Sequence, residues 1–565
     1  MKTSGWLAAA LILVAGACTD ASEGSSSAAI TTASTLEAST TTAPCEPNTS
    51  PLELTRAPDT SASGLIALSK SVYTCMPAAV VLGRNDLSAV KAAARIAVER
   101  ELPLLQLLSS DDIAPVAEEL ARLRVDEVIA FDLDPVLAGQ LGVPVVPETV
   151  PTTTTTTTTA TSSSAVSPSP EPESPSTTVG DGATTATVQT TTTAAPTTAA
   201  PLITAAPLIT AAPLTSIAPI SELVDGPGGG APVVLVDPTS LAAGYLAAPA
   251  VHAGGGTVAA VDLNDVDGLR RWLDGRDEVY PAWQLSPTQR WQLDLAMSGT
   301  ELFGGGTQVF PDRRIVAYYG NPLTFRLGIL GETDPERAVE RVTERAALYD
   351  AEGLPPALPG FEIIVTVASN RAGDDGNYSN EMDPEIIRPW VDAAVANDVS
   401  VILDLQPGRT DFVTQAKLYE EFLRLPNVGL ALDPEWRLEP DQRHLRQIGS
   451  VGADEINAVI DYLTTLVREE TLPQKVLILH QFQERMLPDR ERVHTPPEIA
   501  VVVHVDGQGS LGSKYGTWGA MLAAPTGPDQ QLWWAWKNFI HEDFPTATPG
   551  QVNAVEPLPV IVTYQ

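Results

Sequence analysis

Cysteine, histidine and positive charge are all scarce in this chain. Its 565 residues include 3 cysteines and 6 histidines, and neither a His-x-His nor a His-Glu-x-x-His spacing occurs. The common histidine-rich zinc motifs are therefore excluded. Lysine and arginine total 34 against 70 acidic residues, a formal net charge of −36. A surface this acidic repels phosphate backbones, which excludes nucleic acid as a partner; its plain role is solubility. Long apolar runs are missing too. Residues 6–17 form the strongest, and it falls short of the roughly 20 residues a spanning helix needs.

What is present is apolar material for sizeable cores, with 44% of residues hydrophobic. Two or three domains are expected at this length. Residues 1–18 have the plan of an export signal, with Lys2 ahead of the apolar run. That run ends in Ala15-Gly16-Ala17-Cys18, which resembles the lipobox of bacterial lipoproteins. The resemblance implies a diacylglycerol thioether on Cys18 and a chain anchored by lipid to the cell membrane, facing the cell wall. An ordinary signal peptide with a free Cys18 is the alternative. Setting Cys18 aside leaves an even pair, and disulfides persist outside the cell, so a Cys45–Cys75 bridge is expected.

Composition divides the remainder. Residues 19–56, rich in Ser, Thr and Ala, read as a disordered tether. Residues 150–218 form a Thr/Pro-rich linker, with unbroken threonine over 152–159 and Pro-Leu-Ile-Thr-Ala-Ala repeated from Pro201 and Pro207. Between them, residues 57–149 alternate expected strands (79–83, 103–108, 125–131) with expected helices (87–100, 113–123), the pattern of a small parallel α/β module. Val80-Val81-Leu82-Gly83-Arg84-Asn85-Asp86-Leu87-Ser88-Ala89, the Ala-rich helix and Pro103-Leu104-Leu105 resemble the type 2 cell-wall-binding repeat of bacterial surface proteins. That implies wall binding. Residues 219–300 hold a further βαβα piece, with strands at 232–236 and 257–263 and helices at 241–252 and 266–272. It is either a continuation of the module, with the threonine tract inserted, or a separate unit. About 50 residues make a poor core alone, which favours continuation.

Residues 301–565 contain eight expected strands: 315–320, 361–368, 400–405, 429–433, 475–482, 500–506, 532–537 and 559–564. Helical segments separate most of them. This matches the size and order of a (β/α)8 TIM-like barrel, with an open doubly wound sheet as the alternative. The chain ends on a strand, and the apolar segment 291–297 is expected to plug the end of the barrel.

In such barrels the working groups follow the carboxyl ends of the strands. Period-two alternation puts Asp404 with Gln406, Asp433 with Glu435, and His504 with Asp506 on common faces. If those faces point inward, Asp404, Asp433, Glu435, His480, His504 and Asp506 meet at one mouth as candidate catalytic groups. Candidate substrate-binding groups are Tyr319, Gln406, Arg409, Trp436, Gln481, Gln508, Trp534, Trp536, Lys537 and Asn538. Tryptophan faces suit sugar rings, although alternation sends at least one of Trp533, Trp534 and Trp536 outward.

The runs 404–409, 433–436 and 504–509 resemble TIM-barrel glycoside hydrolases and an uncharacterised family of actinobacterial exported proteins, over about 314–539. The expectation is a monomeric barrel that hydrolyses or binds cell-envelope polysaccharide without a cofactor. Glu435, after the fourth strand, is the expected general acid. The seventh strand ends in Lys537-Asn538 where a carboxylate is usual, so Asp404, Asp506 or Glu542 would have to be its partner. A non-catalytic carbohydrate-binding protein is the alternative. A metal-dependent hydrolase, using the same six acidic and histidine groups, is a second.

Overall fold

The computed structural model describes residues 47–51, 58–148 and 232–565, the last stretch without 275 and 277. Cys18, Cys45, the threonine linker and all of the tether but residues 47–51 lie outside the described residues; within the tether, Asn48–Thr49 is a short strand paired antiparallel with Tyr73–Cys75 rather than disordered chain. Cys75 is disulfide-bonded.

Eight strands form the barrel: β1 (Arg314–Gly320), β2 (Ala357–Ala368), β3 (Ser400–Leu405), β4 (Val428–Leu432), β5 (Lys475–Gln481), β6 (Ile499–Val505), β7 (Trp533–Asn538) and β8 (Ile561–Tyr564). Each pairs in parallel with the next, and β8 pairs back onto β1. The sheet therefore closes on itself, which excludes the open doubly wound alternative. Helices α1 (Pro335–Ala347), α2 (Pro384–Ala396), α3 (Phe412–Leu418), α4 (Ala453–Glu469) and α5 (Leu511–Ala523) lie between strands. Asp334, Asp383, Asp411 and Ser510 cap four of their N-termini through side-chain oxygens. The helix expected over 412–423 breaks at Tyr419, whose hydroxyl donates to the Val365 carbonyl at 2.8 Å.

Alternation sorts every strand into two faces. Ile315, Ala317, Ile402, Ala431, Ile478, Val502, Ala535 and Ile561 fill the barrel interior. Val316, Leu403, Leu430, Leu477, Val501 and Val562 face the helices. The lower end is closed by Leu302, Val309 and Phe310, the last with its ring 5.4 Å from that of Trp533. This corrects the expectation for 291–297. Those residues belong to a helix, Pro287–Ser298, in the outer shell, where the Trp291 indole donates to the Leu472 carbonyl at 2.8 Å. A helix about 10 Å wide is too bulky for the barrel's interior, whereas the irregular 302–310 stretch places Leu302, Val309 and Phe310 against the interior residues.

Lys475 opens β5 fully buried, its Nζ donating to the carbonyls of Leu425 and Val428 at 2.9 and 2.8 Å. Burial pushes its pKa down to about 7. The unfolded chain then holds more protons than the folded one between about pH 7 and 10.5, so this group adds stability as pH rises through that window. Urea unfolding should show wild type gaining on Lys475→Met from pH 7 to 10; a constant difference would contradict the burial effect.

Two smaller parallel sheets precede the barrel. One has the strand order Leu104–Gln106, Ala78–Leu82, Glu127–Phe131, Val145–Glu148; the other has the order Thr257–Ala260, Val233–Val236, Val279–Pro281. The piece from 232 builds its own sheet rather than lengthening the first. The two still share a core. Helix Leu241–Ala253 packs against helices Ala62–Val72 and Leu87–Glu99, and Val234 and Val236 join that cluster. Val233 and Leu235, on the opposite face, join the cluster around the barrel helices. Among the described residues, no helix is long and apolar enough to cross a membrane.

Candidate active site

The barrel interior changes character near its carboxyl end. Above the aliphatic layers stand Tyr319 of β1, Glu362 of β2, Asp404 of β3, His480 of β5, His504 of β6, Lys537 of β7 and Thr563 of β8, all buried. Asp433 and Asp506 follow β4 and β6. Strand register sets Tyr319 beside Glu362, His480 beside His504, and Lys537 beside Thr563. Of the six expected catalytic groups, all but Glu435 are thus strand-end residues in or next to this polar layer, and Glu435 lies two residues beyond Asp433.

His480 is the hub. Its Nδ1 is 2.6 Å from Asp506 Oδ2, and its Nε2 is 2.9 Å from Glu362 Oε1. Burial alone would favour the neutral ring, but the two carboxylates override it and hold the pKa well above the ordinary value. The same attraction outweighs desolvation at Glu362 and Asp506 and keeps both ionised. Lys537 stands 3.7 Å from Asp506 Oδ2 and 3.8 Å from the Tyr319 ring centroid; the surrounding carboxylates overcome its burial and raise its pKa. The Tyr319 hydroxyl donates to Asp404 Oδ2 at 2.7 Å.

The other three acids go the opposite way. Desolvation raises Asp404 to about 6, and it raises Asp433 well above the usual carboxyl range. Glu435 rises to about 6, by desolvation first and by repulsion from Asp506 second. Five carboxyls are thereby divided into two that stay charged and three that hold protons toward neutrality. Pushing titratable neighbours apart in this way is how a site keeps both an acid and a base at one pH.

Above the layer opens a cavity of about 510 Å³. Tyr319, Gln406, Asp433, Glu435, Trp436, Asp506, Gln508 and Lys537 are in its wall. Asp404, His480 and His504 lie outside that lining. Gln406 is set by its own contacts, its Oε1 accepting from the Ala368 amide at 3.0 Å. Gly408 behind it has φ +59°, and a Cβ there would come within 2.2 Å of the Asn377 carbonyl. The Gln-Pro-Gly run is therefore a backbone requirement as much as a chemical one.

Several expected binding groups lie elsewhere. With His480 inward, Gln481 points outward and accepts from Arg490 Nη1 at 2.8 Å. With Lys537 inward, Trp536 and Asn538 point outward, joined Nε1 to Oδ1 at 2.9 Å. Trp536 and Trp534 pack on Trp518 of α5, at 5.7 and 6.1 Å between ring centroids. Arg409 donates to the Gln442 carbonyl and stacks 4.6 Å over Tyr378. Glu542 is exposed and absent from the cavity wall. Conversely, Glu362 and Thr563 escaped sequence reasoning. Glu362 sits inside an apolar strand rather than at its end. The available signal was that a lone carboxylate in such a run is costly to bury without a partner.

The fold and site together define a closed parallel (β/α)8 barrel with a buried carboxylate–histidine–lysine network at its carboxyl end. No family model, no curated protein and no solved structure matches the chain.

Proposed function

We propose that the barrel hydrolyses glycosidic bonds of a cell-envelope polysaccharide. The observation that carries this is Glu435, a carboxyl in the cavity wall whose pKa of about 6 lets it hold a proton for a leaving oxygen. Asp506 in the same wall is kept ionised by His480 and Lys537, so it is the complementary carboxylate. Gln406, Gln508 and Lys537 supply donors for sugar hydroxyls, and Trp436 offers an apolar face. In this reading the lipid on Cys18 holds the enzyme at the outer membrane surface, and the module of residues 57–149 keeps it near the wall.

The test is release of reducing ends from purified envelope polysaccharide across about pH 4 to 8; the two carboxyls differ in charge below about pH 6 and are both ionised above it. Release supports hydrolysis. Glycan retention without release identifies a carbohydrate-binding protein, and the absence of both removes carbohydrate from consideration. Trp436→Ala should raise KM about tenfold with little change in kcat, the loss expected for one stacking face. An unchanged KM would place the sugar elsewhere.

A further inference from the structure

We propose that Glu362, His480 and His504 form a binding site for one divalent transition-metal ion of the zinc class. The inference goes beyond the glycan reading: its three ligand residues, Glu362, His480 and His504, are not in the cavity wall, and only Asp506, which orients His480, belongs to both. Each of the three residues offers one ligand atom, and these atoms lie within 4.8 Å of one another. All three residues are buried.

Spacing is the first argument. A tetrahedral ion with bonds of about 2.0–2.1 Å separates its ligands by roughly 3.3 Å. Glu362 Oε1 is 2.9 Å from His480 Nε2 and 3.9 Å from His504 Nδ1, which brackets that value. The third separation, between the two imidazole nitrogens, is no more than 4.8 Å, so side-chain adjustment within the cluster would seat the ion.

Orientation is the second. Each imidazole is held at its far nitrogen: His480 Nδ1 by Asp506 Oδ2 at 2.6 Å, and His504 Nε2 by Thr563 Oγ1 at 3.0 Å. Of the remaining nitrogens, His480 Nε2 turns toward Glu362, and His504 Nδ1 faces Glu362 Oε1 at 3.9 Å and Asp506 Oδ1 at 3.7 Å. Carboxylate or hydroxyl partners that fix the tautomer of a liganding histidine are a regular part of metal centres. Unmet demand is the third argument. His504 Nδ1 and Glu362 Oε2 are buried with no hydrogen-bond partner. Leaving such atoms unpaired is costly, and a cation held by Glu362 Oε1 and His504 Nδ1 would satisfy the histidine nitrogen and offset the charge of the half-bonded carboxylate. Two imidazoles and one carboxylate suit zinc and its neighbours rather than calcium or magnesium. Binding would displace the proton between His480 and Glu362 to solvent, so no other reactant is needed.

The experiment uses the full chain, stripped with a chelator and titrated separately with Zn²⁺ and Co²⁺. The expected result is one tightly bound ion per chain, with a visible Co²⁺ absorption typical of four or five ligands. His504→Ala and Glu362→Gln should abolish it. Thr563→Val, which keeps the size of the side chain, should weaken it about 10- to 100-fold, as loss of an orienting partner does. Glu435→Gln should bind normally. No ion bound, or binding indifferent to all three of the His504, Glu362 and Thr563 changes, overturns the proposal. Glycan release is not the readout: a chain that takes the ion and releases no sugar keeps this inference and loses the catalytic one.

Discussion

Replacing Glu435 by Gln should lower turnover of the envelope glycan by about 10²- to 10⁴-fold, the usual contribution of a positioned general acid. Gln is nearly the same size and cannot donate a proton to the leaving oxygen, so folding and substrate affinity should be kept. The pH profile adds a second readout. Glu435 acts in its protonated form, and its pKa is about 6. Wild-type activity should therefore fall as pH rises through that value, and whatever activity the variant retains should lack that limb. Initial rates of reducing-end release at several pH values give both numbers. A variant within about threefold of wild type would remove Glu435 from the acid role.

Asp506→Asn should destabilise the metal-free protein by about 3–5 kcal/mol, because it leaves the buried His480 charge without one of its two carboxylates. The pH dependence follows from the directions of the shifts. Asp506 and Glu362 are held below their ordinary values. Their share is present above about pH 4 and lost as pH falls through the folded-state values. His480 is held above its ordinary value. Its share is complete below about pH 6.5 and fades as pH rises through the folded-state value. Urea unfolding with a chelator present should thus show the widest gap between the two proteins from about pH 4 to 6.5. A gap that grows steadily toward alkaline pH would mean that His480 is not the charged partner.

Much of the barrel was readable because its strands are buried on both faces. Such strands appear as short aliphatic runs broken by turn residues, and all eight expected runs overlap the observed strands. The polar layer was readable for a related reason: Asp404, His480, His504 and Asp506 close those runs, and alternation ties each to a face. What alternation cannot supply is the sign. It separates Lys537 from Trp534 and Trp536 but does not say which side faces in; the pairing of β7 with β8, and of β8 with β1, decides that. Glu362 was hidden by its position inside a strand. The plug at Phe310 was hidden because its segment has no regular element. The separate sheet at 233–281 was hidden because strand order depends on packing partners distant in sequence.

The four-residue strand Val233–Val236 belongs to two neighbourhoods at once, sending Val234 and Val236 into one core and Val233 and Leu235 into another. Anyone trimming the chain to obtain the barrel by itself would strip one side of that strand bare. A cut near 300 would also discard Trp291, Leu293 and Leu295, which cover the barrel's outer helices. The smallest well-behaved fragment therefore begins ahead of the conventional barrel boundary. Heating the intact protein should melt both parts together, as one transition rather than two.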